Sequence, residues 1–213
     1  MQNKKVVIVS VAILIGLFLV GGYFYKQNKT DSYKKISSEN AELFQRDYSL
    51  VIGPQDAKVE LVEFFDPACG ACAYYYPYVK NIMKKNKDDI KLIVRYAPFH
   101  QNSNYAVKML EGARAQNLFT ETLELMFNTQ EQWIDGHVVN PRKLWIILEK
   151  SNLLDMKKLS VSMDDLLIDK IVEQDLSDAR VLNVRKTPSF FVNGKLIQEL
   201  SLDNLNKLIE SEL

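Results

Sequence analysis

Cysteine and histidine are scarce in this sequence, two of each in 213 residues, and net charge is absent, with 27 Lys and Arg balancing 27 Asp and Glu. Two cysteines cannot build a disulfide framework. Together with the isolated His100 and His137 they also lack the ligand spacing of a four-coordinate zinc site. Without a basic field there is nothing to hold a phosphate backbone, so no nucleic-acid partner is expected. Internal repeats and low-complexity tracts are missing too. What is present, 47% hydrophobic and 25% charged residues, fits an ordinary globular chain and excludes a disordered or fibrous one.

One long uncharged run stands out. Residues 6–25 carry no charged side chain, and a helix of that length reaches about 30 Å, enough to cross a bilayer. Lys4 and Lys5 precede it, completing a short basic N-terminus at 1–5. The run is longer than the apolar core of a secretory signal and no Ala-x-Ala site follows it, so an uncleaved transmembrane signal-anchor is expected. Gly21 and Gly22 leave the alternative of a cleaved signal open; both readings export the chain. Lys26, Lys29, Lys34 and Lys35 follow the run, and a count of flanking positive charge argues the other way. Long domains cross largely regardless of charge, and the chemistry below suits an oxidising compartment. The expected location is therefore the inner (cytoplasmic) membrane, single-pass, with the domain on the periplasmic or extracytoplasmic side.

Residues 26–45 read as a polar spacer and 46–213 as one domain. Tyr48–Ile52 and Lys58–Phe65 predict strands, the second of them central. A helix follows from the cysteines onward, kinked at Pro77, with Tyr75, Tyr78, Val79, Ile82 and Met83 at helical spacing and lysines at its end. Ile90–Tyr96 predicts the next strand, parallel to the one before it through a right-handed crossover. Apolar stripes at Tyr105–Ala115, Leu118–Asn128, Pro141–Leu148 and Asp164–Leu182 predict a helical insertion. Ser189–Val192 and Leu196–Leu200 predict a hairpin turning on Asn193-Gly194, and Leu202–Leu213 a closing helix, so that antiparallel strands end a sheet that begins parallel.

Cys69 and Cys72 stand where a strand gives way to a helix, in Cys69-Gly70-Ala71-Cys72. The helix N-terminus, with its unpaired N–H groups and positive dipole end, favours a thiolate at Cys69. A fall in pKa from about 8.5 to about 6.5 would raise the thiolate fraction at pH 7 from roughly 3% to roughly 75%. A redox pair is the expected chemistry. The alternatives are a soft-metal site for a cation such as Cu(I), and a structural staple, which would close so short a loop that it pins nothing distant.

The run Glu63-Phe64-Phe65-Asp66-Pro67-Ala68-Cys69-Gly70-Ala71-Cys72, with Pro77 beyond it, and the later run Thr187-Pro188-Ser189-Phe190-Phe191-Val192-Asn193-Gly194 resemble the DsbA-like branch of the thioredoxin superfamily. The helical stretch between them, about 101–184, is similar in length to that branch's insertion. The resemblance covers the chain from about Tyr48 onward. It implies an α/β thioredoxin-like fold with a helical insertion, preceded here by the N-terminal transmembrane helix, and catalytic roles for Cys69 and Cys72. It also implies a cis Thr187-Pro188 peptide facing the cysteines, as an active-site loop whose free backbone edge pairs with substrate. Glu63, on the strand face shared with Val59 and Leu61, is expected to be partly buried and is a candidate proton relay to or from Cys72, the alternative being a carboxylate that simply reaches water at the sheet end. Gly70-Ala71 departs from the family in holding neither proline nor histidine, which leaves Arg185 and Lys186 as candidate cations for the thiolate. No cofactor and no metal are called for. Substrates are expected to be exported proteins bearing thiols or disulfides, with a membrane redox-recycling partner if the protein donates disulfides. A reductase or isomerase would use the same parts. His100 is expected in a loop, and Trp133 and Trp145 in the core or a groove lining.

Overall fold

The computed structural model describes residues 4–39 and 41–213, with backbone alone at positions 5, 6 and 26–39. Residues 1–3 of the expected basic N-terminus and residue 40 of the expected spacer lie outside the described residues. Helix α1 spans Lys4–Glu39, so the backbone stays helical through 26–39 of the expected spacer. Within it Val7–Tyr25 has a mean hydropathy of 2.5 and no buried residue. An apolar core helix would be covered by its own domain, whereas here Phe18 is 81% exposed. The helix is a candidate membrane span by length and composition.

A 3₁₀ turn at Ala41–Leu43 leads into Phe44, which is buried with its ring 5.3 Å from that of Phe191. Packing of the domain thus starts inside the stretch read as spacer, because an aromatic side chain there finds the sheet. Five strands form the main sheet: β1 (Leu50–Ile52), β2 (Val59–Phe65), β3 (Ile90–Tyr96), β6 (Ser189–Val192) and β7 (Lys195–Leu196), in the order β1-β3-β2-β6-β7. Only β2 and β3 run parallel, joined through α2 (Gly70–Lys85). β1 pairs antiparallel with β3, so the sheet does not begin parallel as expected; a short strand reaching β3 from a turn at Gly53 has no crossover helix to reverse it.

Alternation along the strands sorts two cores. Val59, Leu61 and Phe65 of β2, with Leu92 and Val94 of β3, pack on one face; Val62, Phe64, Ile93 and Phe191 pack on the other with Phe44. Glu63 falls on the first face, in a row otherwise apolar. On the second face Arg95, fully buried, meets Asp175 and Asp178 at 2.7 and 2.6 Å, and Arg46 pairs with Asp178 through both Nε and Nη2.

Between β3 and β6 lie α3 (Ser103–Arg114), α4 (Phe119–Asn128), α5 (Gln130–Trp133), a small hairpin of β4 (Ile134–Asp135) and β5 (Val138–Val139), α6 (Pro141–Ser151), α7 (Met156–Met163) and α8 (Leu166–Val181). α5, α7 and the hairpin were not foreseen. α7 is short, capped by Asp155 and buries only Leu159, too little apolar surface to leave a periodic stripe. Trp133 is buried with its Nε1–H donated to the Met126 carbonyl at 3.1 Å. Asn193 and Gly194 both adopt positive φ, as the tight hairpin turn requires. The strand expected at Leu196–Leu200 stops at Leu196 as β7, with one further bond from Ile197 to Phe190. The next carbonyls are taken by side chains, Glu199 by Asn204 and Leu200 by Tyr75, which ends the ladder. α9 (Leu202–Glu210) closes the fold, capped by Ser201.

Candidate active site

Asp66 lies just past the C-terminal end of the central strand β2 and α2 begins four residues later, with Cys69 as its N-cap residue in extended conformation. Both cysteines are reduced and buried, Cys72 completely. The Cys69 thiol donates to the Thr187 carbonyl at 3.1 Å. Its pKa falls from an ordinary 9.0 to about 6. A hydrogen bond from the Cys72 thiol is the largest cause; burial opposes it, and a bond from Thr187 and the N–H groups of Cys72 and Ala71 add to it. Cys72 goes the other way. Burial pushes its thiol well up, and its donation to Cys69 and the charges of Cys69 and Glu63 push it further. Arg185 and Lys186, the cations suggested by sequence, are exposed, and Arg185 turns to Asn183 at 2.8 Å. Hydrogen bonds at a helix start, not a cation, hold the thiolate.

Glu63 is more deeply buried than expected, at 8% exposure, and its carboxyl makes no hydrogen bond among the described residues. Burial, with the charge of Cys69 adding to it, lifts its pKa from 4.5 to about 8. A neutral acid therefore sits beside the two sulfurs at pH 7. Thr187-Pro188 is a cis peptide, and its carbonyl contact with Cys69 places this loop directly against the first cysteine.

Two residues that the sequence did not single out brace the loop carrying Cys69. Asp66, fully buried, accepts from Ala68 N at 2.9 Å, His100 N at 3.0 Å and Ser103 Oγ, and its Oδ2 lies 2.7 Å from His100 Nδ1. Its carbonyl accepts from Cys69 N at 2.9 Å, and its own N–H reaches the Cys72 sulfur. Gln130 of α5 donates from Nε2 to the Pro67 and Cys69 carbonyls at 2.8 and 3.2 Å. His100, expected only as a loop residue, is thus an anchor of Asp66 and stacks on His137 with ring centroids 5.9 Å apart. Among the described residues no three His, Cys, Asp or Glu side chains gather into a metal-holding set.

A family model described as thioredoxin matches residues 45–211. The chain belongs to the thioredoxin family. A probable disulfide bond formation protein D of Bacillus anthracis is 26% identical over all of this chain and 98% of its own length. A sodium/proton antiporter, NhaA, of Herminiimonas arsenicoxydans is 27% identical over 68% of this chain, which spans only 22% of that protein. The crystal structure of oxidised BdbD from Bacillus subtilis superposes with a TM-score of 0.65 at 25% identity, covering 77% of this chain and 92% of that one. Within the thioredoxin family these likenesses put the chain among the DsbA-like thiol-disulfide oxidoreductases.

Seen as a member of that family, the site brings together Cys69, Cys72, Glu63, Thr187 and Pro188, and leaves out Arg185 and Lys186. The pair of sulfurs is polarised: one thiol ionises near pH 6 while its neighbour resists ionisation. Such a pair is suited to disulfide exchange, in which a low-pKa thiol is both a ready nucleophile and a good leaving group. Asp66 offered a faint signal, since an acid just before a helix start is a common cap; Gln130, far away in sequence, offered none.

Proposed function

We propose that this chain is a membrane-anchored disulfide donor, held by its N-terminal helix on the extracytoplasmic side of the cytoplasmic membrane, that passes a Cys69–Cys72 disulfide to thiols of exported proteins. The observation that carries the direction is the polarised pair, Cys69 low and Cys72 high. A stabilised Cys69 thiolate favours the reduced pair, and each pKa unit is worth about 1.4 kcal/mol or about 30 mV toward a more oxidising disulfide.

In the forward reaction a substrate thiolate attacks Cys69 Sγ, the Cys69–Cys72 bond breaks, and the electron pair leaves on Cys72. Cys72 is the poorer thiolate and takes a proton, for which neutral Glu63 is the neighbouring donor. A second substrate thiolate then attacks the substrate sulfur of the mixed disulfide and expels Cys69 as a thiolate. Two substrate thiols have become one disulfide and the pair is reduced; no cofactor enters a step. The Thr187-Pro188 loop supplies the backbone edge on which the substrate segment lies while it is joined to Cys69. Renewal of the disulfide falls to a membrane redox partner.

The deciding measurement is the reduction potential of the pair, equilibrated against glutathione. A potential more oxidising than glutathione supports the donor; a thioredoxin-like one makes the protein a reductase or isomerase, and no reversible couple refutes the redox reading. Cys72→Ala is expected to trap mixed disulfides on a non-reducing gel, and Cys69→Ala to form none.

A further inference from the structure

Behind the cysteines, between the first face of the sheet and helices α2 and α4, lies a cavity of about 190 Å³. Its walls are apolar for the most part, with Phe65, Leu92, Val94 and Phe119 among them and Ile52 on the β1 side. Three lining residues have polar tips besides Glu63. Tyr76 Oη and Lys80 Nζ both turn to Glu124, which lies outside the cavity lining, and Thr120 is exposed. Glu63 is left as the one buried residue with a polar tip on the wall, and among the described residues its carboxyl has no protein hydrogen-bond partner while its oxygens remain open to the cavity. A carboxyl that opens into an apolar cavity with no protein partner is free to hydrogen-bond whatever occupies that cavity.

We propose that this cavity is a binding site for a small neutral molecule with a ring-sized apolar body and a single hydroxyl or amide, hydrogen-bonded to the Glu63 carboxyl. Volume sets the body, since a dry apolar cavity of about 150 Å³ accommodates benzene. The lining sets the head. A buried water needs about two to four polar partners, and this wall offers one buried group, so an apolar molecule with one polar end satisfies Glu63 better than solvent does. Neutrality follows from the same place: Glu63 is held uncharged at neutral pH, and a charged ligand would lose its hydration for a partner that cannot compensate it. Because Glu63 acts on the titration of Cys72, occupancy of the cavity is coupled to the cysteine pair.

The test uses the full chain in lipid nanodiscs, with 4-fluorophenol and fluorobenzene as probes followed by ¹⁹F NMR against empty nanodiscs. 4-Fluorophenol is expected to bind saturably and at least about tenfold more tightly than fluorobenzene, the worth of one hydrogen bond to a buried acid. Glu63→Leu should erase that preference. Ile52→Trp, a change at a half-exposed position on the edge strand, should fill the cavity and abolish binding of both probes with the circular dichroism spectrum unchanged. No saturable binding, or equal binding of the two probes in the native protein, would overturn the proposal. Binding is read without turnover, so its failure is separable from failure of the disulfide-donor reading.

Discussion

Gln130 holds Cys69 by the backbone: its Nε2 donates to the Cys69 carbonyl at 3.2 Å and to that of Pro67 at 2.8 Å. A side chain of the helical insertion therefore fixes the pitch of the loop that presents the sulfur. Gln130→Ala should cost about 1 kcal/mol of stability, the worth of a typical hydrogen bond. Its effect on exchange should be larger, a several-fold loss of kcat/KM in a thiol oxidation assay, because a loosened loop spends less time in the reactive geometry. A variant that retains full kcat/KM would show that the brace is dispensable.

Alkylation of reduced Cys69 by iodoacetamide should follow a titration centred near pH 6. A group of that pKa is about 90% thiolate at pH 7. The folded value lies below the ordinary 9.0, so the thiolate contributes stability above pH 9 that is lost as pH falls through about 6. Urea unfolding of the reduced protein and of Cys69→Ser should therefore differ more at pH 8 than at pH 5.

Glu63 has the opposite sign. Its folded pKa is raised from 4.5 to about 8, so its contribution is complete below pH 4.5 and lost as pH rises through 8. Glu63→Gln removes this loss and should be more stable than the native chain by up to about 3 kcal/mol at pH 7, with the gap closing toward pH 4.5. The same variant should slow the step that protonates Cys72. Equal stability at both pH values would show that Glu63 is solvated.

Asp66→Asn presents an amide NH₂ to a pocket already filled by the donors of Ala68, His100 and Ser103. Two donors facing each other in a buried site should cost about 2–4 kcal/mol, read by chemical denaturation. Since the Asp66 backbone meets both cysteines, the Cys69 titration should move upward toward its ordinary value in Asp66→Asn, whereas a purely structural residue would leave it in place.

The parts of this site that were legible in sequence are those carried by local pattern. Ile90–Tyr96 is rich in Ile, Leu and Val around Lys91 and Arg95 and emerges as β3 with the expected limits; Cys69 falls at the start of a helix because a strand pattern changes to a helical one beside it. Gln130 and Asp66 are different. Their roles depend on partners brought close only by the fold, Gln130 reaching back to Pro67 and Asp66 forward to Ser103, and neither residue type announces that pairing. The burial of Glu63 was underestimated for a similar reason, since the α4 side chains that help cover its face come from the insertion. Gly112 shows how tight the insertion is: a Cβ there would lie 2.7 Å from Leu159 Cδ1 and 2.9 Å from Ser162 Cβ, an α3–α7 contact that no periodicity reveals.

Arg46 grips Asp178 with two hydrogen bonds, at 2.9 and 2.7 Å, and Asp178 in turn grips Arg95 in the middle of the sheet. Tension applied through the N-terminal helix would meet Phe44, seated on Phe191, and then this ion pair. It would run from Arg46 to α8 and β3 on the second face, leaving the cysteines on the first face out of the line of force. In the membrane-anchored protein proposed above, a tether fastened in this way would let the domain be tugged by its mooring without its chemistry feeling the pull.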